Sequence, residues 1–236
     1  WSVNGGKVQV DSEYNLYKLQ TKLAGEFPTI RLLVGDIRDK ERLSRAISDC
    51  ELVIHTAALK HVSFCEYNPD EAYKTNVIGT QNIIDLSREH NVEQVLLIST
   101  DKAANPTSVM GTTKLLAEKL FINAPEYSKR NSTRFTVVRF GNVFGSSGSV
   151  VETFYNKIQN GEKIRISDLN VARYFMSIKE AANLVLDCMP ISKDRDIFVL
   201  KMKKIKILDL AKSLYYNMCN RRDIDYDVGV LSCGEK

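Results

Sequence analysis

The chain has 236 residues, 44% hydrophobic and 26% charged, an ordinary globular composition that suits one large domain or a domain with a small lobe. Its 33 basic and 29 acidic residues leave a net charge of +4, too mild to argue for nucleic acid and compatible with an anionic small substrate or with ordinary surface charge. Five cysteines (Cys50, Cys65, Cys188, Cys219, Cys233), odd in number and without a C-x-x-C pair, read as reduced thiols and leave no zinc or other metal site. No run approaches the ~18 apolar residues of a membrane span, and Trp1-Ser2-Val3-Asn4-Gly5-Gly6 lacks a signal peptide's apolar core. The sequence therefore reads as a soluble cytoplasmic chain, or as the soluble part of a membrane-anchored protein.

Strand and helix signals alternate along the chain. Lys7 to Val10 reads as a strand, and Tyr14, Leu16, Leu19 and Leu23 mark a helix closed by Gly25. Ile30–Val34 is a second strand, Leu43, Ala46 and Ile47 belong to the next helix, and Leu52–His55 is a third strand. An irregular stretch covers Leu59 to Asn68, and a long helix starts at Pro69, where the first turn tolerates proline, and ends near Glu89. Val95–Ile98 is the fourth strand, Val109–Phe121 a helix and Arg134–Phe140 the fifth strand. This alternation predicts an α/β fold with a parallel, doubly wound, Rossmann-like sheet. Beyond Gly141 a Gly/Ser loop runs through Ser147, followed by a helix over 150–160, short strands near 164–166 and 174–176, helices at 179–188 and 207–219 and a strand at 197–200. We read residues 1–140 as a Rossmann-like domain and 141–236 as a small lobe interleaved with its sheet.

The polar residues concentrate where the fourth strand ends: Ser99, Thr100, Asp101, Lys102, and, inside the following helix, Met110 and Lys114. Open α/β sheets bind ligands at the carboxyl ends of their strands, and the i, i+4 spacing puts Met110 and Lys114 on one helix face. Each residue also has a structural reading. Thr100 and Asp101 fit a helix cap, Met110 fits core packing, and Lys102 and Lys114 fit a solvated surface.

Ser99-Thr100-Asp101-Lys102-Ala103, Asn105-Pro106-Thr107 and Met110-Gly111-x-x-Lys114 resemble the signature of the nucleotide-sugar 4,6-dehydratases of the extended short-chain dehydrogenase/reductase superfamily, with the UDP-N-acetylglucosamine 4,6-dehydratases as the branch most similar. Further blocks agree in order: Asp11 to Tyr17, Gly35 to Asp39, Ala57 to Val62, Lys74 to Thr80, Arg139 to Val143, and Arg173 to Met176. The resemblance implies a nicotinamide cofactor, NAD or NADP, and oxidation of sugar C4 followed by loss of water across C5 and C6. By resemblance Thr100 contacts the C4 oxygen, Asp101 is the general acid at C6, Lys102 takes the C5 proton, and Lys114 adds positive charge near the nicotinamide ribose. The superfamily usually has tyrosine where this chain has Met110; a thioether cannot remove a proton, so the C4 proton goes to Asp101 or to a water held by Thr100 and Lys114.

The resemblance also implies cofactor contacts at Asp11, Asp36, Ile37, Ala57, Ala58, Lys60, Ser99 and Lys114, and substrate contacts at His61, Asn142 and Arg173. Asp36 also fits a Gly-Asp turn, Arg173 a surface ion pair, and His61 a structural histidine; Asn76 reads as a brace. The expected partners are a UDP-sugar, no nucleic acid, and further copies of the chain in a dimer or larger homo-oligomer. Nothing in the sequence matches the Gly-x-x-Gly-x-x-Gly loop expected before Lys7, nor the first strand and helix that carry it, and the tail from Gly229 resembles a degraded form of the family's C-terminal motif. A 4-epimerase of the same superfamily, and a relative that binds nucleotide sugar or a partner without turnover, are the alternative functions.

Overall fold

The computed structural model describes residues 6–23, 27, 29–127, 133–146, 148–220 and 224–229. Gly25, Ser147, Cys233 and the tail beyond Gly229 lie outside the described residues. β1 (Gly6–Val10), α1 (Glu13–Leu23) and β2 (Ile30–Val34) form the first unit, with β1 and β2 parallel and Val8 opposite Leu32. α2 (Lys40–Ile47) starts where the Asp39 carboxylate accepts the Arg42 backbone N–H, which satisfies one of the helix's orphan donors. β3 (Leu52–His55) follows. α3 (Val62–Tyr67), α4 (Pro69–Tyr73), a π-helical turn (Lys74–Ile78) and α5 (Gly79–Glu89) lead to β4 (Gln94–Thr100). α6 (Val109–Asn123) and β5 (Arg134–Phe140) complete the central block.

Beyond it lie β6 (Asn142–Val143), α7 (Val150–Gln159), β7 (Ile164–Ile166) and β8 (Ala172–Met176). α8 (Ile178–Ile191), β9 (Ile197–Val199), β10 (Lys203–Lys206), α9 (Ile207–Cys219) and β11 (Tyr226–Val228) end the described chain. β9 returns to the main sheet, giving the parallel order β3-β4-β5-β9. β6, β8 and β10 form a separate sheet, and β7 pairs with β11.

Period-2 alternation in β4 explains the two covered faces. Val95 and Leu97 turn toward Leu43, Ile83, Ile84, Phe121 and Phe135 from the α2, α5 and α6 side. Leu96 and Ile98 turn the other way, toward Leu184, Val185 and Cys188 of α8. Phe121 and Phe135 meet edge to face at 5.3 Å between ring centres and are almost wholly buried. The lobe has its own core, in which Phe154, Ile164, Ile166, Phe175 and Ala211 are buried.

The architecture is the expected Rossmann-like one, with three differences in detail. The sheet is divided: among the described residues β1–β2 and β3-β4-β5-β9 are separate ladders, and a groove of about 140 Å³, lined by Lys7, Gln9, Ile54 and Ala57, lies between them. The buried Gln9 amide finds no hydrogen-bond partner there. The stretch expected to be irregular contains α3, whose six residues are too few to show a helical period in sequence. The single long helix expected from Pro69 is broken by the π turn, which brings Asn76 inward. Asn76 Oδ1 accepts the Leu59 N–H at 2.8 Å, and its Nδ2 donates to Leu59 O and Thr113 Oγ1, each at 3.0 Å. It ties the loop after β3 to α6, as a brace does.

Candidate active site

The end of β4 turns into a 3₁₀ turn over Asp101–Ala103, and this turn sets the polar geometry. Thr100 Oγ1 accepts the Lys102 backbone N–H at 3.3 Å and donates to Asp101 Oδ1 at 3.0 Å. The capping reading of Thr100 is therefore realised, and the same hydroxyl orients the carboxylate. Lys102 Nζ donates to Asp101 Oδ1 at 3.2 Å and to Asn142 Oδ1 at 3.0 Å, joining the end of β4 to the start of β6. Two glycines permit this closeness. A Cβ on Gly111 would sit 2.7 Å from the Lys102 carbonyl, and one on Gly141 would sit 2.7 Å from the Tyr174 carbonyl and 2.5 Å from Met202 Sδ.

These groups open into a cleft of about 1190 Å³ between the main sheet and the lobe. Its walls carry Lys102, Arg139, Arg165, Arg173, Lys201 and Lys204 against only Asp101 and Asp168 among the acidic residues that line it. Such a surplus of cations in a concave wall favours an anionic ligand. Arg165, Lys201 and Lys204 carry no sequence signal of their own: a lysine-rich edge strand looks like a solvated face until β10 is seen to pair with β8 beside Arg173.

Lys114 lies behind the Thr100–Lys102 turn. It is buried, its Nζ donates to Ile98 O at 2.8 Å, and burial lowers its pKa to about 8, with Glu118 pulling the other way. Beneath it His55 is buried and bonded to Thr80 Oγ1 at 3.0 Å; burial first and the Lys114 charge second lower its pKa to about 3. Met110 shares the buried face of α6 with Lys114 but packs with Cys65, Ala72, Val62 and Val109. It takes the core-packing position that the sequence also offered.

The remaining candidates lie away from this turn or beneath it. Asp11 is exposed just past β1. Asp36 binds the Arg38 backbone N–H and guanidinium, each at 2.8 Å, and the Arg38 bond holds its carboxyl below the usual range. Ile37 packs against Gly79 at the start of α5, where a Cβ would come within 2.4 Å of it. Ala57 and Ala58 follow β3, with Ala57 and Ile37 on the wall of the groove between the two ladders, and Lys60 lies exposed beyond them. Ser99 is 4% exposed, and its hydroxyl has no partner. His61 stands before α3 with its ring edge-on to Phe64 and close beside Gly148, at the rim formed by the Gly/Ser loop. The structure thus brings Asp101, Lys102, Asn142 and Arg173 into one cleft and places Asp36, Ile37 and Ala57 on the opposite side of β4.

Fold and site together define an extended short-chain dehydrogenase/reductase. The chain belongs to the polysaccharide biosynthesis protein family, whose model matches residues 7–236. It is 49% identical over 201 residues to an uncharacterized membrane protein of Methanocaldococcus jannaschii, covering 85% of this chain and 60% of that protein. It is 41% identical over 216 residues to an inverting UDP-N-acetylglucosamine 4,6-dehydratase of Campylobacter jejuni, covering 91% of this chain and 65% of that one. A UDP-glucose 4-epimerase of Rickettsia canadensis is 38% identical over 193 residues, covering 82% and 57%. The crystal structure of Pen from Bacillus thuringiensis superposes with a TM-score of 0.95 at 39% identity, over 99% of this chain and 72% of that one. The chain thus spans less than two thirds of these three curated relatives.

Proposed function

We propose that the cleft dehydrates a UDP-N-acetylhexosamine, UDP-N-acetylglucosamine first among them, to a 4-keto-6-deoxy sugar nucleotide for surface-glycan synthesis. The observation that carries this reading is the contact between Asp101 and Lys102 at the mouth of a cation-lined cleft. Elimination across C5 and C6 needs an acid and a base on neighbouring carbons, and these two side chains supply them from adjacent residues.

Thr100 donates to the sugar C4 oxygen. The Asp101 carboxylate takes the C4 hydroxyl proton during oxidation and so becomes the carboxylic acid that protonates the departing C6 hydroxyl. With Asp101 neutral, Lys102 loses its anionic partner; its amine removes the C5 proton, and a proton exchanged with solvent is later delivered to C5. Asn142, bonded to Lys102, keeps that nitrogen in place. Arg173 and the cations Arg165, Lys201 and Lys204 receive the diphosphate, and His61, at the rim, contacts the sugar.

The residues present fit NAD or NADP. Ser99 offers a buried hydroxyl without a partner, Asp36 stays ionised as an acceptor for an adenine amino group, and Ile37 stands beside it to cover the ring. Ala57 and Ala58 present backbone without bulky side chains, Lys60 and Lys114 face the pyrophosphate and ribose with positive charge, and Asp11 meets the ribose hydroxyls. When bound, the nicotinamide would supply the reversible hydride chemistry that the sugar oxidation requires. Residues 141–236 act as the substrate lobe and residues 1–140 as the cofactor domain.

We place the protein in the cytoplasm, free or as the soluble part of a membrane-anchored protein, and in a homo-oligomer, a dimer or larger. The M. jannaschii relative's description as a membrane protein supports an anchored form, although no described helix here is long and apolar enough to cross a membrane. A 4-epimerase is the second reading, supported by the Rickettsia relative, and it has no use for the Asp101–Lys102 pair. Product mass separates the two after incubation with UDP-N-acetylglucosamine and cofactor. Dehydration removes one water; epimerisation leaves the mass unchanged. Assay of NAD(H) and NADP(H) released on denaturation separates both from a relative without turnover.

A further inference from the structure

One turn beyond Lys114 on the same buried face of α6, Glu118 is 1% exposed and holds Arg139 of β5 by two bonds, 2.9 Å to Nε and 2.6 Å to Nη2. Arg139 stands opposite Ser99 in the β4–β5 ladder, and its guanidinium reaches the cleft wall. A carboxylate this deeply buried requires a partner, and the fork geometry fixes the pair rigidly between α6 and β5. Residues four apart on a helix have Cβ atoms roughly 5–6 Å apart, so the pair lies within electrostatic reach of the Lys114 stem.

Other titratable groups around Lys114 are His55 from β3, which is neutral there, and, after β4, Asp101 and Lys102, which bond to each other. On α3, Glu66 is committed to the Val109 amide at the start of α6. The charges of α4, the π turn and α5 point outward, where Glu71 meets Arg38 and Lys74, Asp70 meets Lys74, and Asp85 meets Lys40.

We infer that the Glu118–Arg139 pair is a positioning device for Lys114: two opposed charges, locked together one helical turn away, offset each other at the lysine, so that losing either one would tip the protonation that burial otherwise governs. The catalytic meaning of this inference rests on the role proposed for Lys114, but its test does not require turnover. Glu118→Gln leaves an unbalanced Arg139 cation near Lys114; Arg139→Gln leaves an unbalanced Glu118 anion. Loss of either charge therefore moves the lysine in opposite directions, whereas a purely mechanical strut has no sign.

The measurement is the Lys114 titration in ¹⁵N-lysine-labelled, cofactor-free protein, its resonance identified by loss in K114M. E118Q is expected to lower the midpoint by about one pH unit and R139Q to raise it by about as much, with the double variant E118Q/R139Q close to the parent. Should E118Q fail to fold, R139Q decides alone. An unchanged or lowered midpoint in R139Q, or equal shifts of the same sign in both single variants, overturns the inference. Opposed shifts together with no dehydration by the parent protein would instead refute the proposed reaction and leave the pair's role standing.

Discussion

The two sides of the site are built differently. The proposed acid and base stand on the turn after β4, and Lys114 on α6, beside β4 and β5, whose faces are covered and whose polar groups are held by Thr100, Asn142, Asn76 and the Glu118–Arg139 pair. The proposed adenine side stands on β1–β2, a separate two-stranded ladder in which none of the described strand residues is buried, beside a groove that leaves Gln9 unpaired. Proton transfer tolerates little misplacement, whereas adenine and ribose recognition depends on a few hydrogen bonds of modest worth. Dense packing and paired polar groups therefore gather on the side where the proposed proton transfers take place.

Substitutions can break that contrast at either end. The largest effect is expected in the acid and base: D101N or K102M should reduce dehydration by about 10²–10⁴, measured as 4-keto product per minute. If D101N left the initial C4 oxidation rate intact, Asp101 could not be the C4 proton acceptor. Next comes packing. F121A should cost about 3–5 kcal/mol in urea unfolding, while V8A, in half-buried β1, should cost well under half of that. Equal losses would contradict the contrast.

His55 gives a pH signature to the rigid side. It remains neutral in the fold down to about pH 3, whereas its unfolded value is 6.5, so the unfolded chain binds the extra proton between those limits. Stability should therefore fall as pH drops from 6.5 toward 3, by up to about 1.4 kcal/mol per unit, and H55N should flatten this slope in denaturant titrations. The smallest effect is expected on the adenine side, where D36A should weaken cofactor binding by only about threefold to tenfold in calorimetry.

Much of this layout is legible in the residues. Continuous apolar runs such as Val95–Ile98 and the alternation of strand and helix point to the doubly wound fold, and the Ser99–Lys114 stretch points to the cleft. Short or charged segments were not legible: α3 is too brief to show a period, and Lys203–Lys206 reads as a solvated run until β8 pairs with it. Glu118 was silent for another reason. A glutamate four residues after Lys114 looks like an ordinary helical surface charge, and only the packing of β5 shows that it is buried against Arg139. Met110 was the opposite case, conspicuous in sequence and occupied with packing in the fold.

The most direct test of the central claim, that Asp101 and Lys102 perform the elimination, is deuterium content at C5 of the product formed from UDP-N-acetylglucosamine in heavy water with cofactor present. The parent protein should lose one water and gain one deuterium at C5, and K102M should do neither. Product of unchanged mass from the parent, or C5 exchange that persists in K102M, would contradict it.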